Sequence, residues 1–310
     1  MNHELSKNIL ATIIYYDCFD YPLTAFEIWK HMIRSDYYDT PNHSSNFKLR
    51  DVVISLEEKS LNQYVNNFNG FYFLRGKKYL VKKRIAGNKN SLRKFRKLIS
   101  VAKWLRFVPF VRMVAVTGAV AMKNSKPASD LDLLIALRHE KIWTGRTIVT
   151  LLLHLLGKRR YGLKIADRAC LNHFITDESL EVVTKDLYSA SEYMFIFPLF
   201  GWEIFRKFQL KNGWISRMKP TFGISEIPPL KLVPDLRLAK AIRNIGEALI
   251  GWEWVEAVLR KAEKKRISKN PKTHQEGSLI CADDGALVFL PSPRGPLIFE
   301  KFKKKVEELF

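Results

Sequence analysis

Residues 111–136 constrain the fold more than any other part of the chain. Val111, residues 113–116 and residues 131–136 are apolar stretches with the length and composition of buried strands. Between them come Gly118-Ala119, a small-residue stretch at 119–122 able to begin a helix, and a Lys/Asn/Ser/Pro loop ending at Asp130. Asp130 and Asp132 are separated by one residue at the start of the second strand. Successive strand side chains alternate faces, so both carboxylates leave the same face, roughly 6–7 Å apart. Like charges held that close favour a shared divalent cation, and hard Mg²⁺ or Mn²⁺ takes carboxylate and phosphate oxygens together. Gly118 ahead of a helix start lets backbone N–H groups approach a phosphate. The segment predicts a strand–helix–loop–strand unit in which a phosphate cradle faces a pair of metal-binding carboxylates.

This arrangement resembles the nucleotidyltransferase superfamily of the DNA polymerase beta type. The family signature is an apolar residue, Gly, then Gly or Ser, a spacer, and Asp-x-Asp between apolar residues. Here Thr117 precedes Gly118, Ala119 stands at the Gly/Ser position, residues 120–129 make a ten-residue spacer, and Leu131 and Leu133 flank the aspartates. The resemblance implies a short mixed sheet with helices on one side, an NTP substrate, and Mg²⁺ or Mn²⁺ held by catalytic Asp130 and Asp132. It assigns Gly118 and Ala119 to the nucleotide phosphates, with Lys123 or Lys126 to neutralise them. The family commonly adds a third carboxylate from a later strand, which helps deprotonate the acceptor. Residues 170–176 read as that strand and offer Asn172, an amide that ligates weakly and takes no proton. Asp167, Asp177, Glu178 and Glu192 are close in sequence, and none falls at the expected place. His173 reads as a core or hydrogen-bonding residue.

The charge balance points to a polyanionic partner. The chain has 310 residues, enough for two or three domains with real cores, and a formal net charge of +21. Nucleic acid comes ahead of an anionic membrane surface as the match for that excess. The cations are also segregated, because residues 59–129 contain no Asp or Glu. Within that block Arg93, Lys94, Arg96 and Lys97 lie on a helical segment read at 91–107. They predict an electropositive face leading RNA, DNA or a nucleoside triphosphate toward Asp130 and Asp132. Phe71, Tyr72, Tyr79, Phe95 and Trp104 interleave with the cations and read as core before base stacking. Cys18, Cys170 and Cys281 lie far apart with no Cys-x-x-Cys pair, which fits a reducing cytoplasm better than a disulfide framework or zinc site. No secretion signal is read, and the longest apolar runs, 147–156 and 193–202, are too short to span a bilayer.

Residues 1–85 read as three helices and a β-hairpin, a pattern similar to the winged helix. A stripe at Leu5, Ile9, Leu10, Ile13 and Ile14 marks the first helix, and Thr24-x-x-Glu27 is a capping box that starts the second. An Asn/Ser/Tyr-rich loop, an amphipathic segment at 47–61, and strands at 70–74 and 79–81 around Arg75-Gly-Lys-Lys complete the module. Residues 86–180 are expected to hold the nucleotidyltransferase core with its leading basic helix. Residues 181–310 read as mostly helical, including an amphipathic helix at 236–262 with Leu238, Ile242, Ile245, Leu249, Trp252 and Val255 along one face. The expected class is α+β: a winged helix, a mixed sheet with helices, and a helical C-terminal lobe. Two functions follow. One is transfer of NMP from an NTP to an acceptor, which the sequence leaves open among RNA, a protein hydroxyl and a small molecule. The other is a non-catalytic winged-helix regulator whose degenerate transferase domain binds nucleotide or nucleic acid. Ala119 and Asn172 favour the regulator, and the intact Asp-x-Asp favours the enzyme.

Overall fold

The structure is a computed structural model and describes residues 3–34 and 47–309. The N-terminal module comprises α1 (His3–Asp17), β1 (Leu23–Thr24), α2 (Ala25–Lys30), α3 (Leu49–Leu56), α4 (Lys59–Asn62), β2 (Val65–Phe68) and β3 (Phe71–Leu74). The Asn/Ser/Tyr-rich loop before α3 lies largely outside the described residues. The start of α2 is set by its own side chains. Thr24 Oγ1 accepts the Glu27 N–H at 3.2 Å, and the Glu27 carboxylate accepts the Thr24 N–H at 3.0 Å. The three strands pair antiparallel in the order β1-β3-β2. Their hairpin turns at Asn69-Gly70, with φ of 52° and 74°, the pair best suited to a two-residue turn of positive φ.

The hairpin expected around Arg75-Gly-Lys-Lys is therefore displaced by one strand. Tyr79-Leu-Val opens a long helix, α5 (Tyr79–Leu105), because a short apolar triple suits either period and the helix formers after it decide. α5 crosses the boundary read at 85/86, so the N-terminal module and the central sheet share one element.

The rest of the chain runs β4 (Val111–Val116), α6 (Gly118–Ala121), β5 (Leu131–Leu137), α7 (Ile142–Leu155), β6 (Ala169–Thr176), α8 (Leu187–Met194), β7 (Phe197–Phe200) and α9 (Trp202–Lys211). It continues with α10 (Arg237–Ile250), α11 (Glu253–Ser268), β8 (Leu279–Ala282), β9 (Ala286–Leu290) and α12 (Arg294–Leu309). Six strands form one sheet in the order β7-β4-β5-β6-β9-β8. Only the β5–β6 pair is parallel; the others are antiparallel. The C-terminal region, read as mostly helical, thus supplies three strands to the mixed sheet. The helix read at 236–262 is broken between α10 and α11, where a side chain at Gly251 would collide with the Glu247 carbonyl.

Strand parity sorts the core. Leu131, Leu133, Ile135 and Leu137 of β5 pack with Leu98, Val101 and Leu105 of α5 and Val149 and Leu153 of α7. Leu134 and Ala136 face the other way, onto Ala190 and Tyr193 of α8 and Phe205 and Phe208 of α9. Both faces of the sheet are covered, unlike the one-sided packing the family resemblance implies, and this explains why β5 is apolar at every position after Asp132. The N-terminus of α7 is capped from a distance, since the buried Glu256 carboxylate accepts the Trp143 and Thr144 N–H groups at 2.9 Å.

A third core holds the N-terminal module against the remainder. Leu5, Ile9, Ile14, Tyr15 and Tyr16 pack with Leu187, and Phe195, Met218, Ile298, Phe302 and Val306 close over them. Lys219 is fully buried in this seam, with Nζ donating to the His31 carbonyl at 3.1 Å and Tyr16 Oη at 3.4 Å. Burial holds its pKa well below the usual lysine value. A depressed lysine pKa makes the unfolded chain bind the extra proton, so stability falls as pH drops from the unfolded pKa through the folded one. Lys219→Met is expected to stabilise the protein by about 1–3 kcal/mol at pH 7. The gain over wild type should grow between pH 10 and pH 6 in thermal melts, and a gain that is flat with pH would contradict the assignment.

Candidate active site

Asp130 closes the loop ahead of β5, and Asp132 is the second residue of that strand, on the face covered by α8 and α9. Asp130, Asp132 and Cys170 each bring one ligand atom within 4.8 Å of the others, so these three side chains could hold a metal ion. Cys170 arrives through the strand register. β6 sets Cys170 opposite Asp132, and the pairing then slips, so that His173 stands opposite Leu134. β6 carries one extra residue in this interval, and Asn172 lies in the resulting bulge. Cys170, and not Asn172, is therefore the β6 residue opposite Asp132.

Gly118 is the other wall. Its φ is +62°, and a Cβ there would overlap Asp132 Oδ2 and lie 3.1 Å from Cγ. Glycine alone allows the first residue of α6 to lie against the Asp132 carboxylate. The Thr117 N–H donates to the Asp132 carbonyl at 3.2 Å, which fixes the approach. Ala119 follows within α6, half-buried.

A third carboxylate comes from a helix. Glu192 of α8 receives the Gly118 backbone amide and feels the Asp132 charge; burial, then Asp132, pushes its pKa up to about 7. Burial, and after it Asp130, pushes Asp132 up to about 6. Burial and the two aspartates raise the Cys170 thiol to about 12, which keeps it neutral. His173 donates to or accepts from Tyr193 Oη at 3.3 Å, and burial takes it down to about 4, so it is an uncharged member of the core.

Cations surround the carboxylates, and they are not the lysines picked from the sequence. Arg160 Nη1 lies 2.5 Å from Asp130 Oδ2 and 3.6 Å from Cys170 Sγ. Arg294, the first residue of α12, lowers the pKa of both Asp132 and Glu192. Lys123 and Lys126 are exposed in the loop before the dyad. The Lys123 carbonyl accepts Arg84 Nη1 at 3.2 Å, which ties that loop to α5. Arg160, Arg294 and Glu192 carry no local motif, and each reaches the site only through tertiary packing.

The acid-free block is neutralised in part from elsewhere in the chain. Lys77 pairs with Asp17 at 2.6 Å, Arg84 with Glu27 at 2.7 Å, and Arg112 with Glu247 at 2.7 Å, while Lys83 meets Asp20. Lys94 is a correction to the expected nucleic-acid face. It is fully buried, with Nζ 2.9 Å from the Pro127 carbonyl, 2.7 Å from the Ser129 carbonyl and 2.6 Å from Asp167 Oδ1. Its role is to pin the loop that delivers Asp130. Lys97 pairs with Asp167 Oδ2 at 2.6 Å but stays half exposed, and Arg93 and Arg96 are exposed on the outer face of α5.

The raised Glu192 pKa gives a sign that can be checked without nucleotide. A carboxyl whose folded pKa lies above its unfolded value favours folding at low pH, and that advantage is lost as pH rises through about 7. In EDTA, Glu192→Gln is expected to melt higher than wild type at pH 8 and to lose that gain by about pH 5. An equal difference at both pH values would show that Glu192 is not held as a buried carboxyl of raised pKa.

Compared with family models, curated proteins and solved structures, the chain matches none of them.

Proposed function

We propose that the chain is a metal-dependent nucleotidyltransferase that moves NMP from an NTP to an acceptor hydroxyl. The observation that carries this reading is the Asp130–Asp132 pair facing Gly118, with Glu192 behind it. The donor set suits Mg²⁺ or Mn²⁺. Two carboxylates supply hard oxygens, the neutral Cys170 thiol is a weak ligand that yields to water, and substrate phosphates complete the sphere. Such an ion would polarise the α-phosphate and offset charge on the departing pyrophosphate.

The protein groups then have separate tasks. Asp130 and Asp132 hold the cation, and the backbone at Gly118-Ala119 approaches the β- and γ-phosphates. Arg160, which pairs with Asp130, lies where it would meet phosphate oxygen, and Arg294 would offset negative charge near Asp132. Glu192, with its pKa near neutrality, accepts the acceptor's hydroxyl proton. The freed oxygen attacks the α-phosphorus, the bond to the bridging oxygen breaks, and pyrophosphate leaves with that electron pair.

The N-terminal module is read as a winged helix from its strand order and the Asn69-Gly70 turn. Its exposed α3 face carries Val53 and Ile54, which suits protein docking better than phosphate contact. The second reading, a nucleotide-binding regulator without turnover, is favoured by Cys170 standing where the family places a carboxylate. One assay separates the two: purified protein with each α-labelled NTP and Mg²⁺ or Mn²⁺, with and without RNA. Labelled acceptor or labelled protein supports the enzyme. NTP binding without release of pyrophosphate for any NTP leaves the regulator.

A further inference from the structure

The amphipathic helix α10 is mounted with its polar side inward. Arg243 is buried and forks onto both Asp235 oxygens at 2.8 and 2.7 Å while donating to the Arg106 carbonyl at 2.6 Å. Glu247 accepts Arg112 Nη1 and Nη2 at 2.7 and 2.8 Å and the Phe110 N–H at 2.9 Å. Between them Gly246 leaves no room for a Cβ beside Pro109. The helix is thus anchored through ion pairs, and its apolar stripe faces solvent. Leu238 is 66% exposed, Ile242 42%, Ile245 60% and Leu249 69%, and Trp252 and Trp254 beyond its end are 60% and 66% exposed. A surface helix of a globular protein normally turns such a stripe to the core. A contiguous exposed apolar ridge of this size marks a binding surface.

We infer that α10 seats the protein on an anionic lipid surface, with the Leu238–Leu249 stripe in the acyl–headgroup boundary and Trp252 and Trp254 at the headgroup level. The side chains stand as a ridge, which suits a deformable apolar medium. Arg237 is exposed at the start of the helix, to one side of the stripe, where lipid phosphates would lie. The formal net charge of +21 complements an anionic leaflet and opposes the pairing of two copies through this face. Among the described residues no helix is long and apolar enough to cross a membrane, so the contact is peripheral. This inference is independent of the proposed transfer chemistry.

The test is co-sedimentation of the full chain with vesicles of 30% phosphatidylglycerol in phosphatidylcholine, against pure phosphatidylcholine, at physiological salt. Wild type should partition onto the anionic vesicles. The triple variant Leu238→Gln, Ile245→Gln, Leu249→Gln should partition at least about tenfold less, with an unchanged melting temperature because these side chains are solvated in the fold. Arg237→Gln should reduce partitioning about fivefold. Equal binding by wild type and the triple variant would assign the attraction to charge alone and overturn the proposal. So would an absence of binding, or a wild-type dimer in light scattering that the triple variant turns monomeric.

Discussion

Asp132→Asn is expected to remove Mg²⁺-dependent NTP binding and to lower nucleotidyl transfer by about 10³-fold or more, since the cation's charge stabilisation is worth several kcal/mol. The apo variant should nevertheless melt slightly higher than wild type. Asp132 is desolvated and faces Asp130, so its charge costs stability when no cation is present, and an amide removes that cost. Asp130→Asn should lose transfer equally but gain no stability, because it strips Arg160 of its partner at 2.5 Å. Titration calorimetry with MgNTP and melting curves in EDTA check both variants. Undiminished Mg²⁺-dependent affinity in either would remove the metal site from these residues.

Gly118→Ala should be nearly as damaging while leaving every charged group in place. The backbone at 118 sits at φ +62°, which costs a non-glycine residue about 1–2 kcal/mol. The new methyl group would also overlap Asp132 Oδ2, and β5 is packed on both faces and cannot recede. The carboxylate must turn away from Asp130, and a displacement of about 1 Å at a reacting centre can cost 10²-fold. The expected result is a melting temperature lower by several degrees and transfer lower by about 10²-fold. A variant with wild-type transfer would mean that the start of α6 does not frame the dyad.

These two residues were legible because their signals are local. The apolar runs around Asp130 and Asp132, the glycine at a short helix, and the Thr24–Glu27 capping box each lie within a few residues, and the structure forms these elements where they were read, with Asp130 one residue short of β5 rather than on it. The remainder required tertiary information. β6 pairs Cys170 with Asp132 and then bulges by one residue, which takes Asn172 out of the ladder, and no residue in 169–176 announces it. Glu192 and Arg294 enter the site from α8 and α12, and Arg160 comes from the irregular segment after α7. Lys94 looked like one cation in a basic run, yet its neighbours in space are carbonyls and Asp167. The stripe on α10 was visible as a period, but periodicity does not say which side of a helix the body covers.

The helix α12 joins what the chain order keeps apart, and this bears on how the protein is made. Phe302 stacks edge-on against Tyr15 with ring centroids 5.5 Å apart, and Lys305 reaches Asp17. At about 5–20 residues per second, a ribosome that has finished β3 needs roughly 10–50 s more to deliver α12. Throughout that interval Tyr15 lacks the Phe302 ring, and Asp17 has Lys77 but not Lys305 as a partner. The same helix begins at Arg294, whose charge acts on Asp132 and Glu192. The cover of the N-terminal module and the last cation beside Asp132 therefore come from one helix, with Arg294 at its start and Phe302 and Lys305 further along it.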